Sequence, residues 1–329
     1  MDQISTQQKK TPRKVAQGER LEPSVNKTFG HRLAQCIKRY YWLYIFILPM
    51  VTWFIIFHYV PMGGIVIAFK RYNGVKSIWE SKWVGMKWFI KFFESPYFWR
   101  LIRNTLTLSF YSLATFPLPI ILALCFNELR SPKFKKFAQT IMYAPHFISV
   151  VVLVSMMNLF FSSQYGLVNH IIEALGGEPY PFMISEDAFP HMYVWSGVWQ
   201  GLGWGCIVYV AALSSVDPGL HEAAKLDGAS RLQRIWHINI PTILPTIVIM
   251  LIMRMGHIMS VGADKVLLMR NNLNIAKAEI ISTYVYQRGL VSGEYGYATA
   301  VGLFTNVVNL ILVLIVNKIS EKVSETSLF

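Results

Sequence analysis

The sequence predicts an all-α membrane protein with six transmembrane helices. Three observations lead there. The 329 residues are 53% hydrophobic and only 15% charged, where soluble domains carry about 25% charged residues. Mean hydropathy is +0.38. The apolar residues gather into six runs long enough to cross a bilayer, near 42–62, 102–127, 137–161, 191–213, 241–262 and 295–317. Within lipid such runs satisfy their backbone groups only as helices.

Residues 1–40 are rich in Lys, Gln and Thr and read as a partly flexible cytoplasmic tail. The first apolar run starts near Tyr41 and is too long for the core of a signal peptide, so no cleavable signal is expected. That run holds Pro49 and ends near Pro61-Met62-Gly63-Gly64; the second holds Pro117 and Pro119, the third Pro145. Kinked spans are expected at these prolines. The membrane-spanning body runs from 41 to 318, and 319–329 reads as a second cytoplasmic tail.

Charge near the span ends sets an expected orientation. Eighteen Lys and Arg residues fall in the two tails and in the segments 128–136 and 214–240; eleven fall in 70–100 and 263–292. Both termini are therefore expected inside. The net charge of +13 sits in tails and loops, so anionic headgroups of the bilayer are expected partners and nucleic acid is not. On the outer side, 69–101 interleaves Trp79, Trp83, Trp88, Phe89, Phe92 and Phe93 with Lys82, Lys87 and Lys91. It suits a helix in the membrane interface or a lid over the bundle. The segment 162–190 carries Glu173, Glu178, Glu186 and Asp187 and no Lys or Arg, and could face a docked partner.

Catalytic signatures are missing. No G-x-x-x-x-G-K-S/T phosphate loop occurs, so the chain is not expected to bind ATP, and no enzyme activity is expected of it. Three cysteines without regular spacing argue against a disulfide framework or a metal site, and no metal or cofactor is expected. Gly201-x-Gly203-x-Gly205 lies inside the fourth span, where small residues let helix backbones approach. No span holds an interior Asp or Glu, and Arg254 is the only charge deep in one. Ion-coupled transporters usually carry intramembrane carboxylates, so an ion-coupled secondary transporter is the lesser alternative.

Candidate translocation-path residues are Asn104, His146, Asn158, Trp195, Trp199 and Gln200: polar groups and aromatic faces within spans, suited to hydroxyl-rich solutes. Each has a structural reading too, as helix-to-helix contact or, for His146, as a hydrogen-bonded ring beside the Pro145 kink.

The polar interval 214–240 is the most specific stretch. Asp217 can cap a helix that starts at Pro218, and Gly228 can end it in the left-handed conformation. A second helix over 229–240 is expected to end or kink at Pro241. Glu222-Ala223-Ala224, Asp227-Gly228-Ala229 and Ile238-x-Ile240-Pro241 with Pro245 resemble the EAA motif of permease subunits of binding-protein-dependent ABC importers. Trp236 and His237 stand where an aromatic and then a basic residue are common, and Ile240 replaces the usual leucine. The runs Phe57 to Gly64, Arg103 to Leu106, Phe116 to Pro119, Asn127 to Arg130, Gln139 to Ser149 and Tyr295 to Leu303 resemble the polysaccharide branch of carbohydrate permeases.

The resemblance implies a type I ABC importer permease fold in the bacterial inner membrane. It implies a second homologous permease as partner, two ABC ATPase subunits, an extracytoplasmic solute-binding protein and an oligosaccharide substrate, with a non-sugar solute as the alternative. It also implies a cytoplasmic coupling helix whose ATPase contacts involve Glu222, Ala223, Ala224, Asp227, Gly228, Ala229 and Pro241.

Overall fold

The computed structural model describes residues 38–324, whose regular elements are helices apart from one isolated antiparallel pairing of Lys70 with Trp83. Five helices are long and apolar enough to cross a membrane: Tyr41–Phe69, Phe98–Glu128, Ala188–Leu213, Arg231–Met255 and Tyr295–Lys322. A sixth span exists if Pro132–Phe147 and Val150–Phe160, which meet at 96°, count as one. The expected tail 1–40 lies outside the described residues except for its last three positions, and 319–324 continue the final helix.

The chain divides into two compact units, Met1–Gly63 and Gly64–Phe329. In the first, α1 (Tyr41–Phe54) runs through a π-type turn, Ile55–Tyr59, into Val60–Met62. The Val60 N–H bonds the Ile55 carbonyl, five residues back. This wide turn comes just before Pro61, whose ring presses on the preceding turn in an ordinary helix. Phe54 and His58 stack across it at 4.6 Å.

The second unit is built around α8 (Ala188–Leu213). Its neighbours are α3 (Phe98–Ala114), α4 (Pro117–Glu128), α5 (Pro132–Tyr143) and, after the turn at 235–239, α11 (Ile240–Met255). Ala123, Phe126, Cys206, Tyr209, Leu213 and Ile243 form one buried cluster at its C-terminal half. Leu108, Leu153, Met157, Phe189, Val266 and Met269 form another at its N-terminal half, using α6 (Val150–Phe160) and α12 (Ala263–Met269). A third, with Phe92, Leu101, Ile281, Tyr284, Tyr297 and Val301, joins α2 (Lys87–Phe93) and α13 (Ile281–Tyr286) to α14 (Tyr295–Ser324).

Prolines act differently at different positions. Pro117 occupies the first turn of α4, where its missing N–H costs nothing, and Phe98–Glu128 passes as one span. Pro145 sits in a tight turn, Ala144–Phe147, followed by extended backbone at Ile148 and Ser149. The Ser149 hydroxyl then accepts from the Val152 N–H at 3.3 Å and starts α6. The kink expected in the span 137–161 is thus a full break into two helices, because two extended residues follow the proline turn.

Of the two outcomes expected at Pro241, an end of the helix is not what the structure has. The helix neither ends nor breaks there: Arg231–Met255 is a single helix, starting before the expected 241 and ending before 262. The turn Ile235–Asn239 is π-type, with the Ile240 N–H bonded to the Ile235 carbonyl. As at Pro61, widening the turn ahead of the ring makes room for it without interrupting the helix.

The outer segment 69–101 divides its aromatic residues. Phe89 and Phe92 are buried on α2, and the Trp88 indole N–H donates to the Lys70 carbonyl at 2.9 Å, while Trp79 and Trp83 are exposed. The segment 162–190 forms α7 (Leu167–Ala174). Its last carboxylate, Asp187, pairs with Lys277, and the ammonium holds that carboxyl below its ordinary range through a hydrogen bond and its charge.

Candidate functional site

The interval 214–240 folds into a short exposed helix fixed at both ends. The Asp217 carboxylate accepts from the Gly219 N–H at 2.8 Å, and Pro218 occupies the first turn of α9 (Pro218–Leu226). At the other end Gly228 has φ +78°, the conformation only glycine adopts without cost. The Ala229 N–H bonds the Ala224 carbonyl at 2.8 Å, and the Gly228 N–H bonds the Lys225 carbonyl at 3.1 Å. This is the Schellman arrangement of hydrogen bonds. One residue later Ser230 starts α10 (Arg231–Arg234) with a reciprocal box: the Gln233 N–H donates to the Ser230 hydroxyl, and the Ser230 N–H donates to the Gln233 side chain at 2.7 Å. The chain reverses from α9 to α10 with every step of the turn hydrogen-bonded.

No residue of α9 is buried. Glu222 and Ala223 are exposed, Ala224 is half-buried, and Leu226 keeps 91% of its surface accessible. Leu220, Leu232 and Trp236 add apolar surface nearby. A cavity of about 450 Å³ runs beneath, between Pro218, Glu222 and Lys225 of α9, Arg231 and Arg234 of α10, and the α4 terminus at Asn127 to Arg130. Two leucines presented by a helix of nine residues are unusual for a segment that faces only water.

The six path candidates separate. Trp195, Trp199 and Gln200 all lie on α8. The two tryptophans line an apolar cavity of about 480 Å³ with His191, Met192 and Phe160. The Trp195 indole donates to the Tyr111 hydroxyl at 2.9 Å, which also pairs with His191 Nδ1 at 2.8 Å. Gln200 lines a second, polar cavity of about 340 Å³, and its Nε2 donates to the Ile148 carbonyl at 2.6 Å. Asn158 is exposed on α6. His146 stacks face to face on Trp204, 4.3 Å between ring centres. Asn104 is buried away from both cavities, its amide donating to the carbonyls of Ala276 at 2.8 Å and Glu279 at 2.9 Å.

The glycines of α8 divide by face. A Cβ at Gly203 would stand 1.9 Å from the Met142 carbonyl oxygen, so this residue alone of the three permits the close approach of α5. Gly201 meets nothing within 4 Å and, with Gly205, lines the polar cavity. Sequence reasoning missed Lys265, which lines the same cavity as Gln200 and Arg254. Its position in the string Val266-Leu267-Leu268-Met269 was the available signal: a lysine leading an apolar helical turn.

Residues 115–325 match the family model for the binding-protein-dependent transport system inner membrane component. Protein LplB of Bacillus subtilis is 44% identical over 294 residues, 89% of this chain and 92% of that protein. The polygalacturonan/rhamnogalacturonan transport system permease protein YteP of the same organism is 45% identical over 289 residues, 88% and 90% of the two chains. Among solved structures, a chain of a bacterial ABC transporter that imports the acidic polysaccharide alginate superposes with a TM-score of 0.83 at 41% identity, covering 89% of this chain and 99% of that one. A second, with alginate pentasaccharide-bound periplasmic protein in the complex, gives 0.84 at 41% identity, covering 90% and 100%. With its apolar helices, its doubly capped EAA segment and these matches, the chain belongs to the binding-protein-dependent transport system inner membrane component family and has the type I permease fold of an ABC importer.

Proposed function

We propose that this chain is one of two permease halves of an ATP-driven importer of oligosaccharides. The second half is a homologous permease, so the membrane part is a heterodimer. An extracytoplasmic binding protein delivers the saccharide, and two ATPase subunits dock below. The termini and the segment 214–240 face the cytoplasm, the orientation favoured by the eighteen basic residues on that side.

The observation that carries this reading is α9, an exposed helix with Leu226 91% accessible, joined to α10 and α11 through a fully hydrogen-bonded turn. Exposed leucines flanking Glu222 suit an ATPase cleft that buries apolar surface and pairs the carboxylate with a cation. Ala223 and Ala224 let that surface come close. ATP-driven closure of the ATPase pair then displaces α9, and the hydrogen-bonded joint carries the displacement into α11. The saccharide passes along α8, where Trp195 and Trp199 offer ring faces and Gln200 a polar group.

The test uses the assembled complex in proteoliposomes. Glu222→Arg is expected to abolish uptake and the stimulation of ATPase by loaded binding protein, with the complex still folded. Normal stimulation and uptake in that variant would refute the role of α9.

A further inference from the structure

The polar cavity carries charge of one sign only. It has a volume of about 340 Å³ and is lined by Arg254 of α11 and Lys265 of α12, together with Ser112, Thr115, Tyr193 and Gln200. No Asp or Glu lines it. Lys265 is 8% exposed. Its ammonium donates to the Tyr193 carbonyl at 2.8 Å and lies 4.8 Å from the centre of the Tyr193 ring. Arg254 donates to the Ser112 carbonyl at 2.7 Å and lies 6.0 Å from the Phe116 ring. Neither cation belongs to an ion pair among the described residues.

The neutralised cations nearby make a contrast. Arg100 and Arg270 both reach Glu279, whose carboxylate is nearly buried between them. The fold therefore supplies a carboxylate where two guanidinium groups meet for structure. At the cavity it supplies only carbonyl oxygens and ring faces, which leave both positive charges standing. An ammonium has three donors and a guanidinium five, so both keep N–H groups free for another acceptor. An unneutralised cation within a membrane domain is costly, and such groups mark ligand paths. Gly197 and Gly201 of α8 also line the cavity: a Cβ at Gly201 would meet nothing within 4 Å, and one at Gly197 would sit 3.4 Å from the Lys265 ammonium. Room for a ligand is thus kept next to the charges.

We propose that Arg254 and Lys265 are the anion-reading pair of the translocation path, and that they select saccharides bearing carboxylate groups, as uronic acids do. This rests on the oligosaccharide reading above and adds to it the residues that choose among oligosaccharides. Guanidinium and ammonium groups together donate to a carboxylate from two directions, and the neutral hydroxyls of Ser112 and Thr115 and the amide of Gln200 serve the remaining saccharide oxygens.

The complete complex, in liposomes of phosphatidylcholine alone or with added phosphatidylglycerol, is given tetragalacturonate or neutral maltotetraose, each with a binding protein that takes it. ATP-dependent uptake is measured for the wild type, for Arg254→Gln with Lys265→Gln, and for the charge-keeping pair Arg254→Lys with Lys265→Arg. The neutralised pair is expected to lose tetragalacturonate uptake by about tenfold or more, as for loss of one or more charged hydrogen bonds, with neutral uptake unchanged. The charge-keeping pair is expected to restore most of it. Equal loss for both saccharides, or no loss for either, overturns the proposal. A loss seen only with phosphatidylglycerol identifies a lipid headgroup as the anion and also overturns it. Wild-type uptake of the neutral saccharide alone overturns the acidic selectivity and leaves the oligosaccharide reading intact; uptake of neither overturns both.

Discussion

Replacing Gly203 by alanine is expected to separate α8 from α5. The added Cβ would lie 1.9 Å from the Met142 carbonyl oxygen, 2.4 Å from its carbon and 3.0 Å from the Tyr143 nitrogen. Ordinary contact begins at 3.4 Å, so the two helices must part by roughly the difference, 3.4 − 1.9 = 1.5 Å. All three obstructing atoms are backbone, so no side chain can rotate away. Overpacking of this kind costs about 3 kcal/mol, and the better helix propensity of alanine returns about 1. The net loss of about 2 kcal/mol corresponds to a fall in melting temperature of about 3 °C for a chain of 329 residues. Gly201→Ala is the internal control, since it shares the helix and the propensity gain but its Cβ meets nothing within 4 Å. Melting of the purified protein, followed by tryptophan fluorescence, is expected to rank Gly201→Ala at or above wild type and Gly203→Ala clearly below. If the two variants melt together, close approach at Met142 does not hold these helices.

Gly228→Ala meets no steric obstacle, so its cost is the left-handed backbone alone, about 1–2 kcal/mol localised at the turn between α9 and α10; stimulated ATPase should fall while basal ATPase is kept, and an unchanged ratio counts against the turn. Asn104→Leu strands the carbonyls of Ala276 and Glu279 and should cost about 2 kcal/mol in thermal or denaturant melting. Glu279→Gln leaves Arg100 and Arg270 unneutralised and should cost about 3 kcal/mol, with a milder loss when Arg270 is also changed to Gln; additive losses would deny the three a shared site. Burial pushes the Lys265 ammonium down to about 8, and the titratable groups lining its cavity are Tyr193 and Arg254. Raising the pH from about 7 to about 9 therefore removes its charge, so tetragalacturonate uptake should fall relative to neutral uptake, and Lys265→Arg should flatten the profile. Between the folded value near 8 and the ordinary one the folded chain binds fewer protons, so stability should rise with pH in that window and lose this rise in Lys265→Met.

Much of the EAA segment was legible because its signals are local. Asp217, Pro218 and Gly228 each act within a few residues, and each does in the structure what its chemistry dictates; the equally local Ser230–Gln233 box went unread. The proline positions were legible, and so was a bend at Pro145; its sharpness and the continuous helix at Pro241 were not. Pro241 sits in a continuous helix because the turn before it widened, and Pro145 leads to a 96° break because Ile148 and Ser149 extend after it. Both outcomes depend on residues beyond the proline. The path was the least legible. Asn104, Gln200 and Lys265 are all polar residues in apolar surroundings, and only the folded neighbours decide that the first clamps two carbonyls while the others face a cavity. Burial of Lys265 comes from α8, over seventy positions earlier in the chain.

The break between α5 and α6 also says where lipid cannot be. A continuous helix hides its carbonyls, but the extended backbone at Ile148 takes its carbonyl out of the helical ladder. Hydrocarbon offers no hydrogen bond to such groups, so irregular backbone at membrane depth survives only against protein or water. The Gln200 amide meets the Ile148 carbonyl from across the bundle. Rotating this bend outward by half a turn would strip that contact and face a bare carbonyl with acyl chains. The bend therefore acts as a compass for the bundle: it fixes which side of the α5–α6 pair must turn from lipid toward α8, where Gln200 meets the Ile148 carbonyl.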